Sequence, residues 1–328
     1  MRSFGILIMF TCLASLLPMH ACPACLDERG GARPTLLDQI QKTDQVVIAL
    51  PVAGRPNRHI VAYVLKGPAS LKDKQIRTEA FGKPLARLVI PASSLLTWHA
   101  KSKSWIKRVT LTLTQERFLK QAVKAPSTNT QRLAFFRPYL HHLDPAIQEI
   151  ATKEWARAPY KALRVSSTLL DRTVIRKLLE KENPNALHYV LLGLCGNIND
   201  DKAFLKRALR SPKAFAAKLT AHLEMHGKPA LSSLVTRYFK SSKHSADEVE
   251  AAITAIGVHG TDNTTISRDT AQEALKSLFH HQPKQAAHAA PFFEQWRDWS
   301  VTEEFEALES SDPKVQAFLK AASQARDF

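Results

Sequence analysis

Three short stretches decide the fold: Leu192-Gly193-Leu194-Cys195-Gly196, Met225-His226-Gly227 and Ile256-Gly257-Val258-His259-Gly260. Each closes an apolar run with helical spacing, and their final glycines fall 31 and 33 residues apart, at 196, 227 and 260. A glycine at the end of a helix enters a left-handed C-cap without a Cβ penalty, and an inner small residue lets a neighbouring helix approach. A period near 32 suits one helical hairpin per unit, each burying its apolar face only by stacking on the next. The expectation is therefore a stack of α-helical hairpins.

Outward from these stretches the helical period continues in both directions. Leu133, Phe136 and Leu140 share a face, as do Ile147, Ile150, Ala151, Trp155 and Ala158. Asp144-Pro145 reads as a helix start, with a capping oxygen followed by Pro at the first helical position. Before about Gln115 the pattern changes. Val46–Leu50, His59–Leu65, Gln75–Phe81 and Arg87–Ile90 are short β-branched or aromatic runs, punctuated by Gly54, Pro56, Gly67, Pro68, Gly82 and Pro84. Trp105–Thr114 ends in alternation of Val109, Leu111 and Leu113 with threonines, a strand signal. The expected fold class is α+β, predominantly α, with a small antiparallel β domain followed by an α-solenoid. The expected division is 1–21 signal peptide, 22–45 lead-in, 46–114 β domain and 115–328 helical repeats.

The first residues predict export. Arg2 precedes a 14-residue apolar run, Phe4–Leu17, broken by Pro18 and followed by the small Ala21. That is a leader's layout, and the run is shorter than the roughly 20 residues of a membrane span. The expected location is the periplasm or cell envelope, with no transmembrane span after the leader is removed. Cleavage after Ala21 leaves Cys22 first, where Met19-His20-Ala21-Cys22 resembles a lipobox; cleavage after Ala24 leaves Cys25 first. Cys22-Pro23-Ala24-Cys25 has redox spacing, yet no strand precedes it as in a thioredoxin-type site. Disulfide, lipid site and thiol oxidoreductase all stay open for Cys22 and Cys25.

Net charge is +16, and it is uneven: +11 over residues 22–126, +10 over 127–240 and −6 over 241–328. A basic front draws a molecule to anionic surfaces. The candidate basic patch is Lys101, Lys103, Lys107 and Arg108, interleaved with Trp105 and Ile106. Export turns its expected target from nucleic acid to anionic lipid or glycan of the envelope. His222 and His226 have metal-ligand spacing, but Glu224 does not follow the first histidine as H-E-x-x-H requires. His226 and His259 precede repeat glycines, where a cation suits a helix C-terminus. No G-x-S-x-G, phosphate loop or dinucleotide fingerprint occurs. No catalytic residue, metal or cofactor is expected.

The Leu-Gly-x-x-Gly endings at 192–196 and 256–260 resemble those of HEAT-type repeats. The run from Arg132 to Gly196, with Leu133-Ala134-Phe135-Phe136 and Tyr189–Gly196, is similar to a largely uncharacterised group of exported bacterial HEAT-like proteins. That resemblance implies a protein-binding or scaffolding module with a protein partner. In the front part, Thr43-Asp44-Gln45-Val46-Val47, Tyr63-Val64-Leu65-Lys66-Gly67 and the cysteine-bearing start resemble OB-like domains related to tissue inhibitors of metalloproteinases. No cysteine follows Cys25 until Cys195, so that domain's later disulfides have no counterpart.

Overall fold

A computed structural model describes residues 22–25, 34–79, 92–181 and 184–326 of the chain. The leader, the run Arg87–Ile90 and the Gly82 and Pro84 breaks lie outside these described residues. The lead-in contains a 3-10 turn, Pro23–Cys25, and helix α1, Leu36–Gln41, started by a capping box between Thr35 and Asp38.

Five strands follow: β1 Val46–Val52, β2 Arg55–Lys66, β3 Gln75–Arg77, β4 Ser94–His99 and β5 Ser104–Thr110. Their order is β3-β2-β1-β4-β5, every neighbouring pair antiparallel. A parallel bridge from Thr78 to Trp105, with Glu79 N–H donating to Trp105 O at 3.2 Å, brings the two outer strands together. The sheet thus curls into a partly open barrel. Val47, Ala49, Val61, Leu96 and Trp105 fill it. Val46, Ile48 and Leu95 on the other face join the core of the helical region. Both faces of β1 are buried near its start, which is why Val46–Leu50 reads as a continuous apolar run.

Two strand expectations needed correction. β4 was not anticipated, because Ser94-Leu95-Leu96-Thr97 carries no Gly or Pro punctuation. The alternation through Thr114 does not continue as strand. Thr112 instead caps α2, Leu113–Ala122, in a capping box in which Thr112 and Gln115 each accept the other's backbone N–H at 3.1 Å. A capping box satisfies two orphan amides and outweighs weak β preference.

The helices are α3 Asn129–Phe136, α4 Pro145–Ala156, α5 Tyr160–Ser167, α6 Arg172–Leu179, α7 Ala186–Cys195, α8 Ile198–Ala208, α9 Phe215–His226 and α10 Lys228–Leu234. Then come α11 Ala246–Asp262, α12 Arg268–His281, α13 Pro283–Ala286, α14 Ala290–Trp296, α15 Thr302–Ala307 and α16 Pro313–Arg326. Alternate helices α3, α5, α7, α9 and α11 pack side by side as one layer. α6, α8, α10 and α12 lie against it. This is the expected solenoid of hairpins. Its first part shares one core with the barrel, from Cys22 through Val46 and Trp155 to Ala221, so no bare linker separates the two regions.

The repeat glycines act differently from expectation. Only Gly227 has positive φ, at 59°. Gly196 is extended, at φ −77° and ψ 172°. Gly260 lies inside α11, which runs on to Asp262 and is capped by Asn263 in the left-handed conformation. Proximity is instead the demand at Gly193, Gly257 and Gly260, whereas a Cβ on Gly227 would meet nothing within 4 Å. A Cβ on Gly193 would sit 2.6 Å from the Ala221 Cα, and one on Gly260 would sit 2.6 Å from the Trp296 ring. Gly193→Ala forces α7 from α9 backbone to backbone and is expected to destabilise by about 1–3 kcal/mol. Denaturant unfolding of the variant against the parent checks this.

Candidate functional site: a buried Cys-x-x-Cys beside a polar cage

Cys22-Pro23-Ala24-Cys25 does not lie at a frayed terminus. It is seated in the helical layer, packed against α7, α9 and α11. Cys22 is 1% exposed and Cys25 2%. Cys22 N–H donates to Ala158 O at 3.1 Å, just before α5, and Cys25 N–H donates to Cys22 O at 2.9 Å. Burial, together with a hydrogen bond to the Cys22 thiol, pushes the Cys25 thiol well above its ordinary pKa. A reactive cysteine needs the opposite shift, towards thiolate.

Beside this turn three helices each present groups one turn apart on one face: Tyr160 and Arg164 from α5, Thr220 and Glu224 from α9, His259 and Asp262 from α11. Both Arg164 terminal nitrogens bind the Glu224 carboxylate, Nη2 at 2.7 Å from Oε2, and Nε donates to Asp262 Oδ2 at 2.8 Å. Tyr160 Oη and Thr265 Oγ1 also donate to Glu224, at 2.9 and 3.0 Å. His259 Nε2 meets Thr220 O at 3.0 Å, which assigns its proton there. Its ring packs edge-on to Tyr160 with centroids 5.3 Å apart.

Charge states follow from these contacts. Burial works to raise Glu224, but the Arg164 guanidinium holds its carboxyl below the usual range. Burial lowers His259 and keeps it neutral, despite opposing help from Thr220 O and Glu224. Burial and the Glu224 charge push Tyr160 well up. The cage therefore sets one guanidinium between two carboxylates, and leaves Asp262 Oδ1 and His259 Nδ1 without a hydrogen-bond partner.

The other predicted residues are scattered. The His222 and His226 rings lie 4.6 Å apart. Burial, the neighbouring His226 and Lys202 drive His222 down to about 4. No group of three metal-ligating side chains forms among the described residues. His226 and His259 are not equivalent: His226 ends α9, whereas His259 sits a turn inside α11, buried and neutral. In the barrel, Lys101 and Lys103 are exposed in the β4–β5 turn, and Arg108 donates to Thr97 Oγ1 at 2.8 Å. Lys107 departs from them. It pairs across from Leu96, a barrel-core residue, and its charge adds to burial in lowering buried His59.

Two clefts open where α1 meets the barrel and the first helices. One, of about 290 Å³, reaches Ala158, whose carbonyl holds Cys22. It is lined by a charge ladder in which Arg132 Nε binds Glu154 at 2.6 Å and Arg157 bridges Glu154 at 3.3 Å and Asp38 at 2.6 Å. The other, about 340 Å³, lies beside Leu37, Leu65 and Lys66.

Tyr160, Arg164 and Asp262 carry no motif and were not anticipated. One signal was present. Three residues before each repeat glycine stand Gly193, Glu224 and Gly257, so the middle unit replaces the small residue with the carboxylate around which the cage closes. No family model matches the chain, and no curated protein and no solved structure is significantly similar to it.

Removing one partner of a buried ion pair strands the other. Glu224→Gln is expected to destabilise by about 3 kcal/mol or more, read by denaturant unfolding. A second expectation concerns His188 on α7, whose ring nitrogens meet no hydrogen-bond partner and whose pKa burial lowers to about 4. Its folded pKa lies below the unfolded one, so stability falls as pH drops from ~6.5 towards ~4, by roughly 2 kcal/mol at pH ~5. His188→Leu should flatten that part of the stability–pH curve and be neutral or stabilising at neutral pH.

Proposed function

We propose that the chain is an exported, non-catalytic scaffold that holds a protein partner on its HEAT-like helical array. The observation that supports this most is how the polar and apolar groups divide. The buried charges of the array are committed to one another, in the Arg164–Glu224–Asp262 cage and in Arg172 and Arg176 closing on Asp201 at 2.7 and 3.0 Å. Large apolar side chains, by contrast, stand in solvent on or beside α2, α4 and α5. Leu143 is 97% exposed just before α4, and Leu113 stands exposed at the start of α2, which Gln115 ties to Asp144 at 2.9 Å. Val165 and Leu169, four apart, are exposed at the end of α5. An array whose buried charges pair within it while large apolar side chains stay uncovered suits a partner better than a substrate.

Burial of the Cys-x-x-Cys turn favours a structural thiol pair. A lipid on Cys22 would have to leave through packed helices, and two thiols buried this deeply offer a disulfide substrate no direct approach. The turn also fills part of the helical layer's own surface, which moves the expected partner contact to the exposed leucines.

A photo-crosslinking residue placed at Leu143 or Val165 in cells is expected to yield one discrete adduct. The same residue at Glu303, on α15, should yield none. With the crosslinker at Leu143, Leu113→Ser should weaken the adduct without lowering the melting temperature, since Leu113 is exposed. Equal labelling at all three positions would count against the scaffold reading.

A further inference from the structure

The barrel's outer face is only half covered. At one end Val46 and Ile48 lie under the helices. At the other, Leu50 emerges 40% exposed, paired directly across from Ile60 at 46%. Two residues before Ile60, on the same side of β2, stands Arg58, and directly opposite it on β3 stands Arg77. Like charges directly opposite on a sheet repel. No carboxylate relieves this pair: Arg58 reaches only Gln75 Oε1, at 3.4 Å, and neither arginine forms an ion pair among the described residues.

The seam that closes the barrel brings more cations to the same place. Thr78, next to Arg77, bridges to Trp105, two residues beyond Lys103 in the β4–β5 turn. Lys101 and Lys103 are exposed there and form no ion pair among the described residues. Residues 46–110 hold 12 Lys and Arg against Asp73 and Glu79, and Glu79 accepts from Ser104 Oγ at 2.5 Å. An exposed aliphatic pair framed by a collar of uncompensated cations breaks two local rules at once, and sites that do so tend to be functional.

We propose that this uncovered half of the barrel docks on an anionic lipid bilayer surface, with Leu50 and Ile60 entering the interface and Arg58, Arg77, Lys101 and Lys103 meeting headgroup phosphates. Each part has a use there. The collar supplies electrostatic attraction to an anionic surface. The aliphatic pair gains by leaving water for the acyl boundary. A soluble polyanion would use the collar and leave the leucine and isoleucine in water. An apolar protein partner would bury Arg58 against Arg77 without a counter-charge. These residues are separate from those assigned to the scaffold's partner, so either reading can fail alone.

The test is co-sedimentation of the full chain with sucrose-loaded vesicles of phosphatidylcholine, with and without phosphatidylglycerol. Binding should require phosphatidylglycerol and fall with added salt. Arg58→Gln with Arg77→Gln should weaken it at least about tenfold. Leu50→Ser with Ile60→Ser should weaken it about fivefold or more. Both pairs are exposed, so circular-dichroism melts of these variants should match the parent. No phosphatidylglycerol-dependent pelleting, or pelleting of the protein without vesicles, would overturn the proposal. So would a Leu50→Ser, Ile60→Ser variant that binds like the parent while polyphosphate displaces it, which would assign the collar to a soluble polyanion.

Discussion

Glu224 is the constraint on which the helical layer depends. It sits on α9, the fourth helix of the layer, and accepts from Arg164 and Tyr160 on α5 and from Thr265 beyond α11. Arg164 then continues to Asp262 on α11. Helices two and three places apart in the layer are thereby tied through one carboxylate. Apolar stacking alone sets only nearest neighbours in a solenoid, and would leave its curvature loosely defined. A buried, bidentate arginine–carboxylate contact has one geometry, so it fixes how tightly the layer curls. That curl decides whether Cys22–Cys25 has a seat between α5, α7, α9 and α11.

Much of the fold was legible because it rests on local rules. The glycine period, the Asp144-Pro145 start and the apolar stripes all reflect helix geometry, and α4, α7, α9 and α11 appear where they put them. The errors came where a second local rule competed. The alternation of Val109, Leu111 and Leu113 looked like strand, but Thr112 and Gln115 form a capping box and the strand stops at Thr110. Gly193 and Gly257 do admit neighbouring helices as small inner residues should, but Gly260, which looked like a C-cap, is also held by atoms of other helices. Spacing along the chain cannot name the atoms that arrive from elsewhere.

The site was less legible for the same reason, with one exception. His226 and His259 share a slot in the repeat, yet one ends a helix and the other is enclosed by Tyr160 and Thr220, because α11 runs a turn further than α9. Identical slots in a degenerate repeat carry different chemistry once helix lengths differ. Glu224 is the exception. A carboxylate where the flanking units have glycine breaks the period, and a break that places a charge on an apolar face requires a partner. The partner, Arg164, lies 60 residues earlier, beyond the reach of any motif.

Export and partner binding, as proposed, place different demands on the front and rear of the chain, and the shared core reconciles them. The barrel does not hang from the array on a linker; Val46, Ile48 and Leu95 lie in the same core as Phe118, Trp155 and Leu187. A flexible joint would let the barrel's basic face and the array's exposed leucines point independently. A common core fixes their relative orientation, because rotating one against the other would expose that buried apolar surface. Any surface on which the barrel settles therefore also orients the array, whose charge changes from +10 over residues 127–240 to −6 over 241–328. Near an anionic surface such a charge distribution resists lying flat, since the acidic end is repelled while the barrel is held. The fold thus converts a gradient of charge along the sequence into a preferred direction for the helical layer.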